Sequence, residues 1–463
     1  MPKVTIYMPN HNYAKYIDEA VESIKKQSFE DWELIIIDDG STDNSREILE
    51  KYKGEEKITV LEQENQGLNI TNNVAIRLAR GEYIVRVDAD DYLDENFLLV
   101  LSNILDTKKE IGLVFPDYYH IDSKGKILEQ IRKKKIGEES KLLDLPAHGA
   151  CTMFRTEVLR EIGSYNEDFS CQDGYDIWLK FVEQHNPYNV NVPLFYYRQH
   201  EKSLTQNSQK ILDTRMDIKK KFLKERGGLN LKILGYVPAT SSSIYQQNNP
   251  FIDVNGKPLI WYTLCEAFKS ESLSKIAVSS DDSKVLSYIK KNYPEAIVHK
   301  RKKETSSFGT ANIEIVEELI SANKQVLQGF DAICLLPIST PLRKSKHIDH
   351  AANTMQVFNV DTVKSIEEEI SPFYQHTMNG LEPINLRSEN QPRLERDSLF
   401  RDNSAITLTK LSNINEGKIL GNRIGHITML KEESIKINSD FELWIVREIL
   451  SNDSETQDKD GKK

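Results

Sequence analysis

Two acidic pairs follow apolar runs early in the chain: Asp38-Asp39 after Leu34–Ile37, and Asp88-Ala89-Asp90-Asp91 after Tyr83–Val87. Carboxylates gathered at strand ends repel one another unless a cation or a hydrogen-bonding ligand offsets the charge. A hard divalent ion holding a diphosphate would suit Asp90, and a ribose or base would suit Asp39. One Asp-x-Asp alone is as easily a turn or a helix cap. Two acidic pairs, each closing a strand, point instead to a site.

The elements that must position these acids are legible as alternation. Val4–Met8, Leu34–Ile37, Ile58–Glu62 and Tyr83–Val87 read as strands, and Tyr16–Gln27, Asn44–Tyr52 and Asn72–Ala79 as helices between them. That alternation predicts an α/β fold with a mostly parallel sheet, whose ligands bind at the carboxyl ends of the strands. A basic helical stretch, about 209–230, ends at Gly227-Gly228, after which the alternation restarts with Lys232–Pro238, Ile260–Lys269, Lys275–Ser279, Ser283–Asn292 and Ala332–Pro337. The expected organisation is two Rossmann-like nucleotide-binding domains, 1–208 and 231–450, joined by the helical linker 209–230. The tail 451–463 has no apolar residue and is expected to be disordered.

Composition narrows the function classes. At 463 residues the chain exceeds one ordinary core, and its net charge of −10 excludes a duplex nucleic-acid partner, which needs a basic surface. The four cysteines form no CxxC and read as reduced thiols of a cytoplasmic protein. No apolar stretch approaches the roughly 18 residues that cross a bilayer, so any membrane contact is peripheral, at its inner face. The segment "KKKFLKERGG" (Lys219–Gly228) is the candidate for that contact, while the runs Arg132–Lys135 and Lys300–Lys303 read as solvated faces offset by neighbouring acids.

The stretches "YMPNHNYAKYIDEAVESI", "ELIIIDDGSTDNS", "NQGLNITNNVAIRLARGEYIVRVDADDYLDE", "GACTMFRTEVLREIGSYNEDF", "QDGYDIWLKF" and "YYRQHEKSLT" resemble the family-2 glycosyltransferases, inverting enzymes of the GT-A fold. The resemblance runs from Val4 to about Thr205. It implies that Pro9, Asn12 and Asp39 line the nucleotide pocket and that Asp88 and Asp90 form the metal motif, with Asp90 the direct ligand. Asp173 would be the general base, with Asp176 its competitor, and Arg198 and His200 would lie by the diphosphate, His200 on the metal side. The implied cofactor is Mn²⁺ or Mg²⁺. The implied partners are a nucleotide-sugar donor, most simply UDP-linked, and a glycan, lipid-linked or protein acceptor; self-association into a homo-oligomer is compatible with both. Inverting transfer needs one carboxylate to take the acceptor's proton while a metal neutralises the departing diphosphate. The chain departs from the family at Thr71-Asn72-Asn73, where many members have Ala-Arg-Asn, and at Gln172, where glutamate is common.

From Leu231 to about Leu450 the pieces "VPATSSS", "VNGKPLIWYTLCEA", "KIAVSSDDSKVL", "LLPISTPLRKSKHID" and "SIKINSDFEL" resemble the cytidylyltransferases that activate nonulosonic acids with CTP. The family's phosphate loop carries arginine, two glycines and a lysine where this chain has Thr240, Ser241, Ser242 and Ile244. Its metal motif Asp-Ile-Asp aligns with Lys436-Ile437-Asn438, and its Gln-Pro with Pro337-Ile338. A lysine does not bind a divalent ion, and phosphoryl transfer depends on the lost charges. The expectation is a degenerate second domain behind a metal-dependent transferase. The rivals are a bifunctional enzyme that also activates its sugar with CTP, and a non-catalytic sugar- or nucleotide-binding assembly protein.

Overall fold

The computed structural model describes all residues except 145, 170, 200–207, 241–248, 307–310, 370, 372, 379, 385–398 and 461–463, together with the side chains of 208 and 453–460. The chain divides into two compact units, with the change from one to the other between Ile218 and Lys219, inside the linker helix.

In the first unit β1 (Val4–Asn10), β2 (Trp32–Asp39), β3 (Ile58–Gln63) and β4 (Tyr83–Arg86) are parallel. β5 (Tyr92–Leu93), β6 (Ile111–Ile121), β7 (Ile127–Ile131), β8 (Met153–Arg155) and β9 (Asn186–Arg198) complete the sheet. Its order among the described residues is β3-β2-β1-β4-β8-β6-β9-β5, with β7 beside β6. β8 runs antiparallel to both β4 and β6, so the purely parallel half ends at β4. β1 and β2 are buried along their whole lengths, which is why they read as continuous apolar runs. Between the strands lie α1 (Ile17–Lys25), α2 (Ser45–Leu49), α3 (Leu68–Leu78), α4 (Phe97–Thr107), α5 (Thr156–Glu161) and α6 (Asp173–Val182). α1 buries Ile17, Ala20, Val21 and Ile24, one helical face, against the core around Ile6, Met8, Leu34 and Ile36.

α3 starts four residues before the expected Asn72, at Leu68. Gly67, at φ +91°, turns the chain left-handed into the helix. The asparagines of this helix have tertiary work. Asn69 Nδ2 donates to the carbonyls of Asn166 (2.8 Å) and Phe169 (2.7 Å), and Asn73 Nδ2 to that of Tyr165 (2.9 Å). α3 thereby fixes the loop that leads to α6.

Gly81 packs against β1 so closely that a Cβ would lie 2.4 Å from the Thr5 nitrogen and 2.8 Å from Tyr83 O. Gly81→Ala is expected to cost about 3 kcal/mol of stability, because backbone cannot yield as a side-chain tip can. An unchanged denaturation midpoint in that variant would refute this reading.

α7 (Ser208–Lys224) is the linker helix. The first lysine of the segment Lys219–Gly228 is not available to a membrane: Lys219 is 5% exposed, and its Nζ lies 2.9 Å from Thr354 Oγ1 and 3.1 Å from His350 Nε2. Lys220 pairs with Glu271 at 2.8 Å. Among the described residues no helix is long and apolar enough to cross a membrane.

The second unit holds a seven-stranded sheet among its described residues, ordered 297–300, 273–280, 233–238, 332–335, 399–410, 362–369, 424–428. The first four strands are parallel, and in chain order they stand third-second-first-fourth, the arrangement of β3-β2-β1-β4. The last helix continues from Asp440 to Asp460, through most of the stretch expected to be disordered. Polar residues can prolong an existing helix, since each added residue gains a backbone bond without a new nucleation cost.

Candidate active site

In a sheet ordered 3-2-1-4 the connections leave in opposite directions from β1 and β4, opening a crevice at their carboxyl ends. Asn10, Asp38-Asp39 and Asp88–Asp91 all arrive there. The two members of the first pair separate in role. Asp38 is fully buried and structural: it accepts from Asn10 Nδ2 (2.8 Å), the Ser41 N–H (3.2 Å) and Arg46 Nε (3.2 Å). Asp39 accepts from Gln63 Nε2 (2.7 Å) and the Gln66 N–H (2.8 Å) on Oδ1, and from the Gly67 N–H (2.9 Å) on Oδ2. One acceptor position therefore remains on Oδ2 for a ligand hydroxyl or N–H. Pro9 is buried at the exit of β1. Asn12, at φ +63°, accepts the Thr42 N–H at 2.7 Å and the Asp43 N–H at 3.2 Å, so it shapes the loop around the pocket.

Asp88, Asp90 and Asp91 each bring a carboxylate oxygen to within 4.8 Å of the others. Burial raises the Asp91 carboxyl well above its usual range, followed by the charges of Asp90 and Asp88; burial likewise raises Asp88, with Arg86 opposing. Asp91 Oδ2 is buried without a hydrogen-bond partner. A hard, oxygen-rich donor set with one orphaned oxygen fits a divalent cation, which would relieve the mutual repulsion.

Arg86 organises this corner, and the sequence reading missed it. Its Nε lies 2.8 Å from Asp88 Oδ1, in ion-pair contact without hydrogen-bond alignment, and its Nη2 donates to Asp88 Oδ2 at 3.1 Å. Nη1 donates to Asp173 Oδ2 at 2.5 Å. One guanidinium, 6% exposed, thus joins the acidic motif to the first residue of α6. Gly149 lies against this contact: a Cβ there would sit 3.4 Å from Arg86 Nη2 and 3.9 Å from Asp173 Oδ2, at ordinary van der Waals separation. Asp173 follows Gln172, a non-glycine residue at φ +59° whose Oε1 accepts from Arg215 Nε at 2.7 Å. Asp176 is 5% exposed and pairs with Lys180 at 2.7 Å, which leaves Asp173 as the acid that faces the metal motif.

Arg198 lies behind the acidic loop. Its guanidinium donates to Asp90 O (2.8 Å) and Asp122 O (3.2 Å) and pairs with Glu19, while its N–H donates to Asp91 Oδ1 (2.9 Å). At 2% exposure it braces the loop from within. His200 lies outside the described residues.

In the second unit the equivalent crevice lies at Pro238–Thr240, Asp281 and Pro337. Thr240 Oγ1 donates to Asp281 Oδ1 at 3.1 Å, and the Ile437 N–H donates to Ser339 O at 2.8 Å, which brings Lys436 and Asn438 to the same strand ends. Among the described residues no metal-holding cluster of acids occurs there. Ser241, Ser242, Ser243 and Ile244 lie outside the described residues.

Residues 5–163 match the family model described as Glycosyl transferase family 2, and residues 235–418 the one described as Cytidylyltransferase. The first match ends before Asp173 and α6. Chondroitin synthase of Escherichia coli is 32% identical over 184 residues, 40% of this chain and 27% of that protein. Glycosyltransferase GlyG of Streptococcus pneumoniae is 39% identical over 121 residues, 26% of this chain and 40% of that protein. The chain therefore spans well under half the length of these two curated relatives. Of the solved structures, S. aureus TarS 1-349 in complex with UDP-GlcNAc superposes with a TM-score of 0.41 at 21% identity, over 48% of this chain and 66% of that chain.

Proposed function

We propose that this chain, which carries a family-2 glycosyltransferase domain in its first half and a cytidylyltransferase domain in its second, transfers one sugar from a nucleotide-sugar donor, UDP-linked, to a hydroxyl of a glycan, lipid-linked or protein acceptor with inversion. The observation that carries this reading is Arg86 holding Asp173 beside Asp88, Asp90 and Asp91. A bound Mn²⁺ or Mg²⁺, held by Asp90 and Asp91, would neutralise the diphosphate as it leaves. Asp173, with Oδ2 pinned by Arg86, presents Oδ1 to the acceptor hydroxyl and takes its proton as the new bond to the anomeric carbon forms and the bond to phosphate breaks. Asp39, at the end of β2, accepts from the nucleoside through its remaining acceptor position.

The second unit is read as retained scaffold. Lys436 and Asn438 stand where the related enzymes have metal-binding aspartates, and a lysine there repels a divalent ion. Pyrophosphate release from CTP by the full chain would revive the bifunctional reading.

Metal and donor binding give the direct test. Mn²⁺ at about a hundredfold its Kd should stabilise the folded chain by about 2.7 kcal/mol, read as a rise in Tm. A UDP-sugar should add to that rise, and Asp90→Ala should abolish it. An equal rise in Asp90→Ala would remove the metal from this site.

A further inference from the structure

The basic run Arg132–Lys135, read from sequence as a solvated face, splits in the structure. Arg132 pairs with Glu139 at 2.9 Å, Lys135 with Glu138 at 2.7 Å, and Lys134 is exposed. Lys133 turns inward. It is half-buried, its Nζ lies 5.7 Å from the centroid of the Tyr118 ring, and among the described residues no carboxylate forms an ion pair with it. The nearby Asp117 carboxylate accepts the backbone N–H of Lys133 at 2.8 Å and Asn191 Nδ2 at 3.3 Å instead.

Around Lys133 stands a wall of rings at the carboxyl ends of β6 and β9. Tyr118 meets His120 and His148 at 5.3 Å, and His148 meets Tyr197 at 4.5 Å. Burial, and then Lys133 itself, push His120 down to about 4 and His148 to about 3, so both are neutral at pH 7. Burial lowers the pKa of Lys133 as well, with the Asp117 carboxylate opposing, and with both imidazoles neutral its ammonium is the cation of this wall. Lys133, His148 and Tyr197 are each partly exposed, so the wall opens to solvent. It also adjoins the chemistry: His148 precedes Gly149, which packs on Arg86 and Asp173, and the field of Asp91, Asp88 and Asp90 reaches the Tyr197 phenol.

We propose that Lys133, with the rings of Tyr118, His148 and Tyr197, forms an acceptor subsite for an anionic group, a sugar carboxylate or a phosphate, next to Asp173. The proposal rests on the reading of Asp173 as the base at the acceptor hydroxyl. An anionic acceptor nearing four carboxylates is repelled unless a cation receives its charge. Arg86 and Arg198 are already engaged by acids. Lys133 supplies a point charge in a partly desolvated setting, where a charge-assisted hydrogen bond counts for more than in water.

The test is ligand-observed NMR on the full chain with methyl glucuronide, glycerol phosphate and neutral methyl glucoside as probes. One anion should bind about tenfold or more tighter than the glucoside, and which of the two it is names the source of the charge. Lys133→Met should lose that preference, Lys133→Arg should keep it, and Lys134→Met should match the wild type. Equal binding of the glucoside, or an unchanged preference in Lys133→Met, overturns the proposal. The Mn²⁺-dependent rise in Tm should persist in Lys133→Met, showing that its fold and metal side are intact. Anion binding that depends on Lys133 in a chain without transferase activity would support this subsite while refuting the transfer reading, so the two fail separately.

Discussion

Asp173→Asn is expected to lower the proposed transfer rate by about a thousandfold, within the range for removal of a general base, with little change in donor or Mn²⁺ binding. Asparagine is isosteric and its carbonyl oxygen can still accept from Arg86 Nη1, so the positions of α6 and Gly149 persist. What disappears is the capacity to take a proton. The loss should therefore fall on kcat at saturating donor, with the donor's KM nearly unchanged. Asp176→Asn serves as the contrast: Asp176 pairs with Lys180, so its removal should show in stability more than in rate. Turnover of Asp173→Asn within tenfold of wild type, or a larger rate loss in Asp176→Asn, would move the base elsewhere.

Arg86→Met has the largest expected effect on stability. Removing one partner of a buried ion pair leaves an uncompensated charge, typically at a cost of about 3–5 kcal/mol. Here two acids, Asp88 and Asp173, lose the same partner, and Asp90 and Asp91 stand beside them. Mn²⁺ should restore a larger share of the lost stability in the variant than it adds to the wild type, because the ion can take over part of the missing charge. Arg86→Lys should recover less than half, since one ammonium cannot reproduce a fork directed at two carboxylates. Thermal unfolding with and without Mn²⁺ measures both effects. A variant as stable as the wild type would refute this account of Arg86.

How much of this was open to sequence reading follows from the range of each interaction. The acids at the ends of β2 and β4 are local features, closing continuous apolar runs, and they were placed correctly at the crevice. The architecture of the parallel half follows from the same alternation. Arg86 was invisible because it looks like one more residue of a strand; its significance comes from Asp173, which returns to it 87 positions later through the antiparallel half. Asp38 and Asp39 are indistinguishable as letters, yet strand pleat sends one to Arg46 and the other to Gln63 and the turn at Gly67. The expected start of α3 at Asn72 falls four residues late, because what opens the helix is the backbone at Gly67 and the tertiary contacts of Asn69, neither of which is visible in local pattern. Lys133 was averaged into its basic neighbours, since charge runs carry no information about which member turns inward.

Gln172 carries a consequence of a different kind. It holds left-handed backbone directly before Asp173, a conformation glycine adopts freely and other residues at a cost of about 1–2 kcal/mol. The chain forgoes that stability for a side chain that Arg215 can grip. Selection for heat tolerance alone would drive this position toward glycine and leave α6 hinged where it is now anchored. Backbone stability and the anchoring of α6 therefore favour different residues one position ahead of Asp173.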